Sequence, residues 1–241
     1  MKLPEDIFEP VTTEQKVFNT KKLVEKMSVE NNKEFAKYLT GAFIRTMKLP
    51  DIAPRILGWD SMPTETRVDF AQLFMDKLID VINADINEEK IPLINFDKDK
   101  FKKISDLGLS EVFKEKLRLP KMKVTHAVGA KLMVVAPTRD LFINFDFPMY
   151  KGVDNFLLDL RHESGHVIDL FSDISPLSMD VRLGAMRNYG QEDELWTINP
   201  LELNTNISRH EDAQAIRKAI EEIKTMHQNK TFEFAVESQT Y

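Results

Sequence analysis

The stretch Arg161-His162-Glu163-Ser164-Gly165-His166 decides how the rest of the chain reads. Residues four apart lie on one face of a helix, so a helical stretch turns the imidazoles of His162 and His166 the same way, toward one metal ion. Glu163 stands on the adjoining edge of that face, where it can act on a water at the metal without being a ligand. The flanks favour the helix: Phe156, Leu157, Leu160, Val167, Leu170 and Phe171 give it apolar sides from about 153 to 171, and Gly152 precedes it with Asp154 or Asn155 near its start. A catalytic ion needs three protein ligands and an open position, so two histidines leave one ligand to be found.

Working outward, three short runs rich in Val, Phe and Ile precede the helix: Val124 to Val128, Lys131 to Ala136 and Leu141 to Phe147. They read as strands, with Pro137-Thr138-Arg139-Asp140 as the turn between the last two. A hairpin immediately before a His-Glu-x-x-His helix resembles the core of the zincin peptidases. That resemblance implies bound Zn2+, His162 and His166 as metal ligands, Glu163 as general base and a peptide or protein as substrate. In zincins an edge strand beside the metal helix aligns the substrate backbone, and by resemblance Leu141-Phe142-Ile143-Asn144-Phe145 would be that strand. The metzincin branch requires a Gly near Asp169 and a His near Ser172, and this chain has neither. A gluzincin-like arrangement follows, with the third ligand on a later helix.

The acidic candidates downstream are Asp173, Asp180, Glu192, Asp193, Glu194, Glu202, Glu211 and Asp212, with His210 as a nitrogen alternative. Asn199-Pro200-Leu201-Glu202 opens a helical run expected to continue to about Gln228, with Ile216, Ile220 and Ile223 on its buried stripe. Glu202 stands in the first turn, 36 residues beyond His166, and is the expected ligand. Asn199 at the N-cap, Pro200 at the first helical position and Glu202 at the third also spell a capping box, which needs no metal. Glu194 and His210 are the reserves. The segment Trp196 to Thr205 resembles the gluzincin layout in which an aromatic and a proline precede E-x-x-A, with Thr205 in place of the alanine. His162 to Asp169, together with Tyr189-Gly190, also resembles lethal-factor-type toxin peptidases. This resemblance gives Tyr189 the oxyanion-stabilising role, although the Tyr-to-Glu spacing is longer here; Arg209 and His210 are alternatives. His126 and His227 belong to no motif.

The first half reads as a helical scaffold. Helices are expected from Thr13 to about Met27, from 30 to 47, and from Thr64, as a cap, to about Asn83; a loop is expected from Asp51 to Pro63, and shorter helices from Lys98 to about Leu117. The division is 1-120, a helical scaffold region, and 121-241, a zincin-like catalytic region, packed as one unit of α+β class. At 241 residues with 42% hydrophobic and 30% charged composition the chain can bury a core. Cysteine is absent, so any metal is held by nitrogen and oxygen. A net charge of -6 argues against nucleic acid as partner, and the lysines between Lys98 and Lys123 are interleaved with acids as on a solvated face. No apolar run nears the roughly 18 residues that span a bilayer, and the N-terminus lacks the apolar core of a secretory signal. A cytoplasmic protein, or one exported without a classical signal, is expected, with no membrane partner; the oligomeric state is left open. Two other readings stand beside the peptidase: a non-catalytic zincin-like binding or structural protein, and an interaction module built on residues 1-120.

Overall fold

Thr12 and Ser28 each precede a run of apolar residues at three and four spacing. Thr12 accepts from the Gln15 N–H at 3.3 Å and Ser28 from the Asn31 N–H at 3.4 Å, which starts two helices. They are α1 (Thr13–Val24) and α2 (Val29–Met47). The computed structural model describes residues 12–92, 94–97, 100–102, 110–128, 132–135, 138–188 and 193–228. In α2 the stripe Phe35, Leu39, Phe43 and Met47 is buried. It packs against a later helix carrying Phe70, Phe74 and Leu78.

Between these two helices the structure differs from the expected loop. Pro54 supplies a preset backbone angle in the first turn of α3 (Ala53–Leu57), Gly58 ends it, and a 3-10 turn follows at Trp59–Ser61. Trp59 is buried, stacks on Phe156 at 4.4 Å and donates its indole N–H to the Tyr150 carbonyl at 2.9 Å. The helix α4 (Thr64–Asn87) runs one turn beyond the expected end. Pro63 occupies its N-cap, so Thr64 is the first helical residue and does not cap.

The expected short helices after Lys98 are also corrected. Ile94-Asn95-Phe96 alternates with the period of a strand, and β1 (Ile94–Asp97) pairs antiparallel with β2 (Lys100–Lys102); among the described residues of this segment α5 (Glu111–Leu117) is the helix. The three expected strands form as β3 (Lys123–His126), β4 (Leu132–Val135) and β5 (Asp140–Ile143). The hairpin between β4 and β5 is antiparallel and turns through Arg139 at φ 57°. However, β3 pairs parallel with β5, so the order is β3-β5-β4. Strand β5 is therefore central and cannot be the substrate-aligning edge expected for Leu141 to Phe145; β4 is the edge beside the helix that carries His162 and His166.

That helix is α6 (Val153–Phe171), with the bounds its apolar flanks predict. After it come α7 (Met179–Arg187), α8 (Asp193–Ile198), α9 (Pro200–Asn206) and α10 (Arg209–Gln228). The long run expected from Asn199 is thus two helices. Ser208 breaks it, because its carbonyl accepts from the Asp212 N–H at 2.8 Å and its hydroxyl donates to the Asp212 carboxylate at 2.9 Å, starting a new helix. Glu202 rides on the short helix α9.

Helix α6 is central to the packing, touching α2, α9, α10 and β4. One hydrophobic core runs from Phe35 through Leu160 to Ile223 and draws on both halves of the chain. Arg161 is buried in it: its guanidinium pairs with Asp212 of α10 at 3.3 Å and donates to Thr40 and the Ala36 carbonyl of α2. The class is α+β and mainly helical. Among the described residues no helix is long and apolar enough to cross a membrane.

Candidate metal centre

The candidate metal-binding face is set by α6 and completed by α9. Helical spacing brings Nε2 of His162 and Nε2 of His166 to 3.1 Å. The Glu202 carboxylate divides between them, one oxygen 3.3 Å from His162 Nε2 and the other 3.3 Å from His166 Nε2. Among the described residues these three side chains are the group of nitrogen and carboxylate donors that could hold a metal. Ligand atoms at zinc's usual bond lengths and tetrahedral angle stand about 3.4 Å apart, so the observed spacing fits that ion without rearranging the helices. The donor set of two imidazoles and one carboxylate suits zinc better than calcium or magnesium, which take oxygen ligands.

The capping alternative for Glu202 divides in two. Asn199 is the cap, accepting from the Leu201 N–H at 2.9 Å. Its own N–H goes to the Trp196 carbonyl at 3.3 Å, while the Glu202 carboxylate is turned toward the imidazoles. Two contacts register α9 on α6. Asp169, one turn beyond His166, accepts two hydrogen bonds from Asn204 at 2.9 and 3.1 Å and one from Ser175 at 2.6 Å. Gly165 lets Thr205 approach so closely that a Cβ there would lie 2.6 Å from the Thr205 methyl.

The electrostatics follow from burial and mutual proximity. Burial works against the charged Glu202, but its hydrogen bonds to His162 and His166 outweigh this and hold the carboxyl well below the usual range. Burial likewise opposes charge on His166, yet the hydrogen bond to Glu202 and the nearby Glu163 raise it to about 9. On His162 burial prevails and lowers the pKa. Glu163 is pushed up to about 7 by burial, against the pull of His166 and a hydrogen bond from the Val134 main chain. Glu163 thus stands as a buried carboxyl beside the two imidazoles, lining the cleft where a water can reach it.

The cleft over these residues has a volume of about 430 Å3 and is walled by Met133 and Val134 of β4, Leu170, Met186, Trp196 and Leu201. Of the other expected residues, Tyr189 lies outside the described residues. His210 is exposed and bonds to Gln214, and Arg209 pairs with Asp159 at 3.5 Å; neither lines the cleft. Asp173 pairs with Arg182, Asp180 with Lys26 and Asp212 with Arg161. His126 lies 3.5 Å from Asp146, away from the site. The walls Met133 and Met186 had no signal in the sequence, because they meet only through the packing of β4 on α6 and of α7 on α9. Comparisons with protein-family models, with curated proteins and with solved structures find no match to this chain.

Proposed function

We propose that this chain is a zinc-dependent metallopeptidase of gluzincin-like organisation, with His162, His166 and Glu202 as the residues that hold the ion. The observation that carries the reading is the convergence of the two imidazole nitrogens, 3.1 Å apart, with a separate oxygen of Glu202 3.3 Å from each, beside a buried glutamate that lines the same cleft. Zinc, when bound, supplies a Lewis acid that polarises a scissile carbonyl and acidifies a water. Glu163 accepts the proton of the attacking water on its carboxylate and delivers it to the departing amine. Its burial keeps the proton within the site between the two steps. The β4 edge offers main-chain donors and acceptors to an extended substrate, in the place expected earlier for β5.

The test separates the base from the ligands. Glu163→Gln is expected to bind zinc as the parent does and to lose peptide cleavage by ~100-fold or more. A variant that keeps its zinc and still cleaves removes Glu163 from the mechanism. A zinc-occupied parent that leaves a broad peptide library intact favours the non-catalytic binding protein instead.

A further inference from the structure

Eleven large apolar side chains are exposed among the described residues, and five of them gather around one feature. Met133 of β4 and Trp196 of α8 wall the metal cleft, and Met179, Leu183 and Met186 form a stripe along one face of α7. Residues 179, 183 and 186 fall at helical spacing, so the stripe is continuous. It leads away from the metal. Met186 and Leu170 wall the cleft on one side and a second depression of about 160 Å3 on the other, which Met179 and Leu183 also line. The polar residues of the main cleft are His162, Glu163, His166 and Glu202, all belonging to the metal centre; its remaining walls are apolar. A grouped apolar surface of this kind marks a binding site, whereas scattered exposed side chains do not.

We propose that the metal cleft and the α7 stripe form one groove that selects extended polypeptides bearing bulky apolar side chains at alternate positions, with Met186 and Leu183 as specificity-determining residues. The inference rests on the peptidase reading, which identifies the occupant as a polypeptide. The edge strand β4 forms one wall, so a chain running beside it is extended and turns alternate side chains to the same side. Those side chains meet Leu170, Met186 and Trp196, and farther along Leu183 and Met179. A charged side chain entering the main cleft among Leu170, Met186 and Trp196 loses its water without a counter-charge from those walls, whereas the second depression carries Lys116, Asp169, Asp173 and Arg182 beside Met179 and Leu183. Discrimination therefore comes from rejection of charge as well as from apolar contact.

Trp196 supplies a direct readout. The chain has two tryptophans, of which Trp59 is 1% exposed and Trp196 42% exposed, so a peptide seated in the groove perturbs the emission of Trp196 alone. The experiment uses full-length zinc-loaded Glu163→Gln protein, which holds a peptide without turning it over. Dye-labelled peptides of one length carry Leu or Phe at two alternate positions, or Asp or Lys at the same positions. The apolar peptides are expected to bind ~10-fold or more tightly than the charged ones and to shift the tryptophan emission. Adding Met186→Lys and Leu183→Glu, both at exposed positions, is expected to reduce that preference to ~2-fold or less.

Equal affinity for apolar and charged peptides overturns the proposal, as does an unchanged preference in the Met186→Lys/Leu183→Glu protein. A concentration-dependent dimer that those two substitutions dissociate, with no peptide preference in the monomer, overturns it in favour of a second copy on the stripe. Apolar preference in binding, with no cleavage by zinc-loaded parent protein, supports the groove and sinks the peptidase reading. Cleavage with a flat side-chain profile does the reverse.

Discussion

Gly165→Ala is expected to damage the metal centre without touching a ligand. An ideal Cβ at Gly165 falls 2.6 Å from the Thr205 methyl and 3.3 Å from the Thr205 Cβ. Carbon atoms in ordinary contact stand about 3.5 to 4.0 Å apart, so the helices must separate by roughly 1 Å. Rotating Thr205 does not relieve this. Its hydroxyl is engaged with the Leu201 and Glu202 carbonyls at 3.2 and 3.1 Å, which holds the methyl against Gly165. Overpacking of this kind costs ~1–3 kcal/mol, which denaturant unfolding of the metal-free protein reads directly. Glu202 lies one turn before Thr205 on the same seven-residue helix, so its carboxylate moves with the helix. Metal ligands tolerate displacements of only about 0.2 Å, and loss of such support weakens zinc by ~10–100-fold in competition against a chromophoric chelator. The second-site change Thr205→Ser removes the obstructing methyl, keeps the hydroxyl, and is expected to restore affinity to within ~3-fold in the double variant. Parental zinc affinity and stability in Gly165→Ala alone would refute the claim that this helix contact registers Glu202. Failure of Thr205→Ser to rescue would mean that the damage arises elsewhere.

Other perturbations separate ligand, core and surface. Glu202→Gln keeps the side-chain volume but loses the carboxylate charge, and zinc affinity measured by the same competition is expected to fall by ~100-fold or more; undiminished affinity would return Glu202 to the role of a helix-start residue. Arg161→Met leaves Asp212 buried without its guanidinium, so unfolding is expected to become easier by ~3–5 kcal/mol, and a loss under ~1 kcal/mol would show that the pair is dispensable. At the surface, hydrogen bonds from Ser178 and Lys26 lower the Asp180 carboxyl to about 2. A depressed carboxyl stabilises the fold above its unfolded pKa and loses that contribution as pH falls toward 2. Because both partners are about half exposed, Lys26→Ala is expected to cost under ~1 kcal/mol at pH 7 and to leave the acid-unfolding midpoint nearly unchanged. A large shift in that midpoint would contradict the screening argument.

How far the sequence carries depends on how local each feature is. The α6 bounds and the shared face of His162 and His166 need only helical spacing, and both are legible from residues 153 to 171. The existence of β3, β4 and β5 is legible for the same reason. Their order is not, because Leu132-Met133-Val134-Val135 and Asp140-Leu141-Phe142-Ile143 carry similar β propensity. Which strand becomes the edge is decided by the parallel pairing of β3 with β5, a contact between segments with a hairpin strand between them. Residues 51 to 63 read as a loop although part of them is helical, because Pro54 and Gly58 mark the start and stop of a short helix as readily as a turn.

Glu202 is the instructive intermediate case. Its spacing within Asn199-Pro200-Leu201-Glu202 serves a cap and a ligand equally well, so no local argument separates them. A helix of seven residues has little stability of its own, and α9 is held by tertiary partners: Asn199 to the Ala185 carbonyl at 3.1 Å, Asn204 to Asp169, and Thr205 against Gly165. Each of those partners lies upstream, on α6 or α7. The direction of the Glu202 carboxylate is therefore fixed by packing between segments distant in the chain, and the capping residue is Asn199 alone. The same dependence makes Glu202 the weakest mechanical point of the proposed centre. A change that loosens α9 from Asp169 or crowds Gly165 should lower metal affinity while leaving the two histidines on α6 in place.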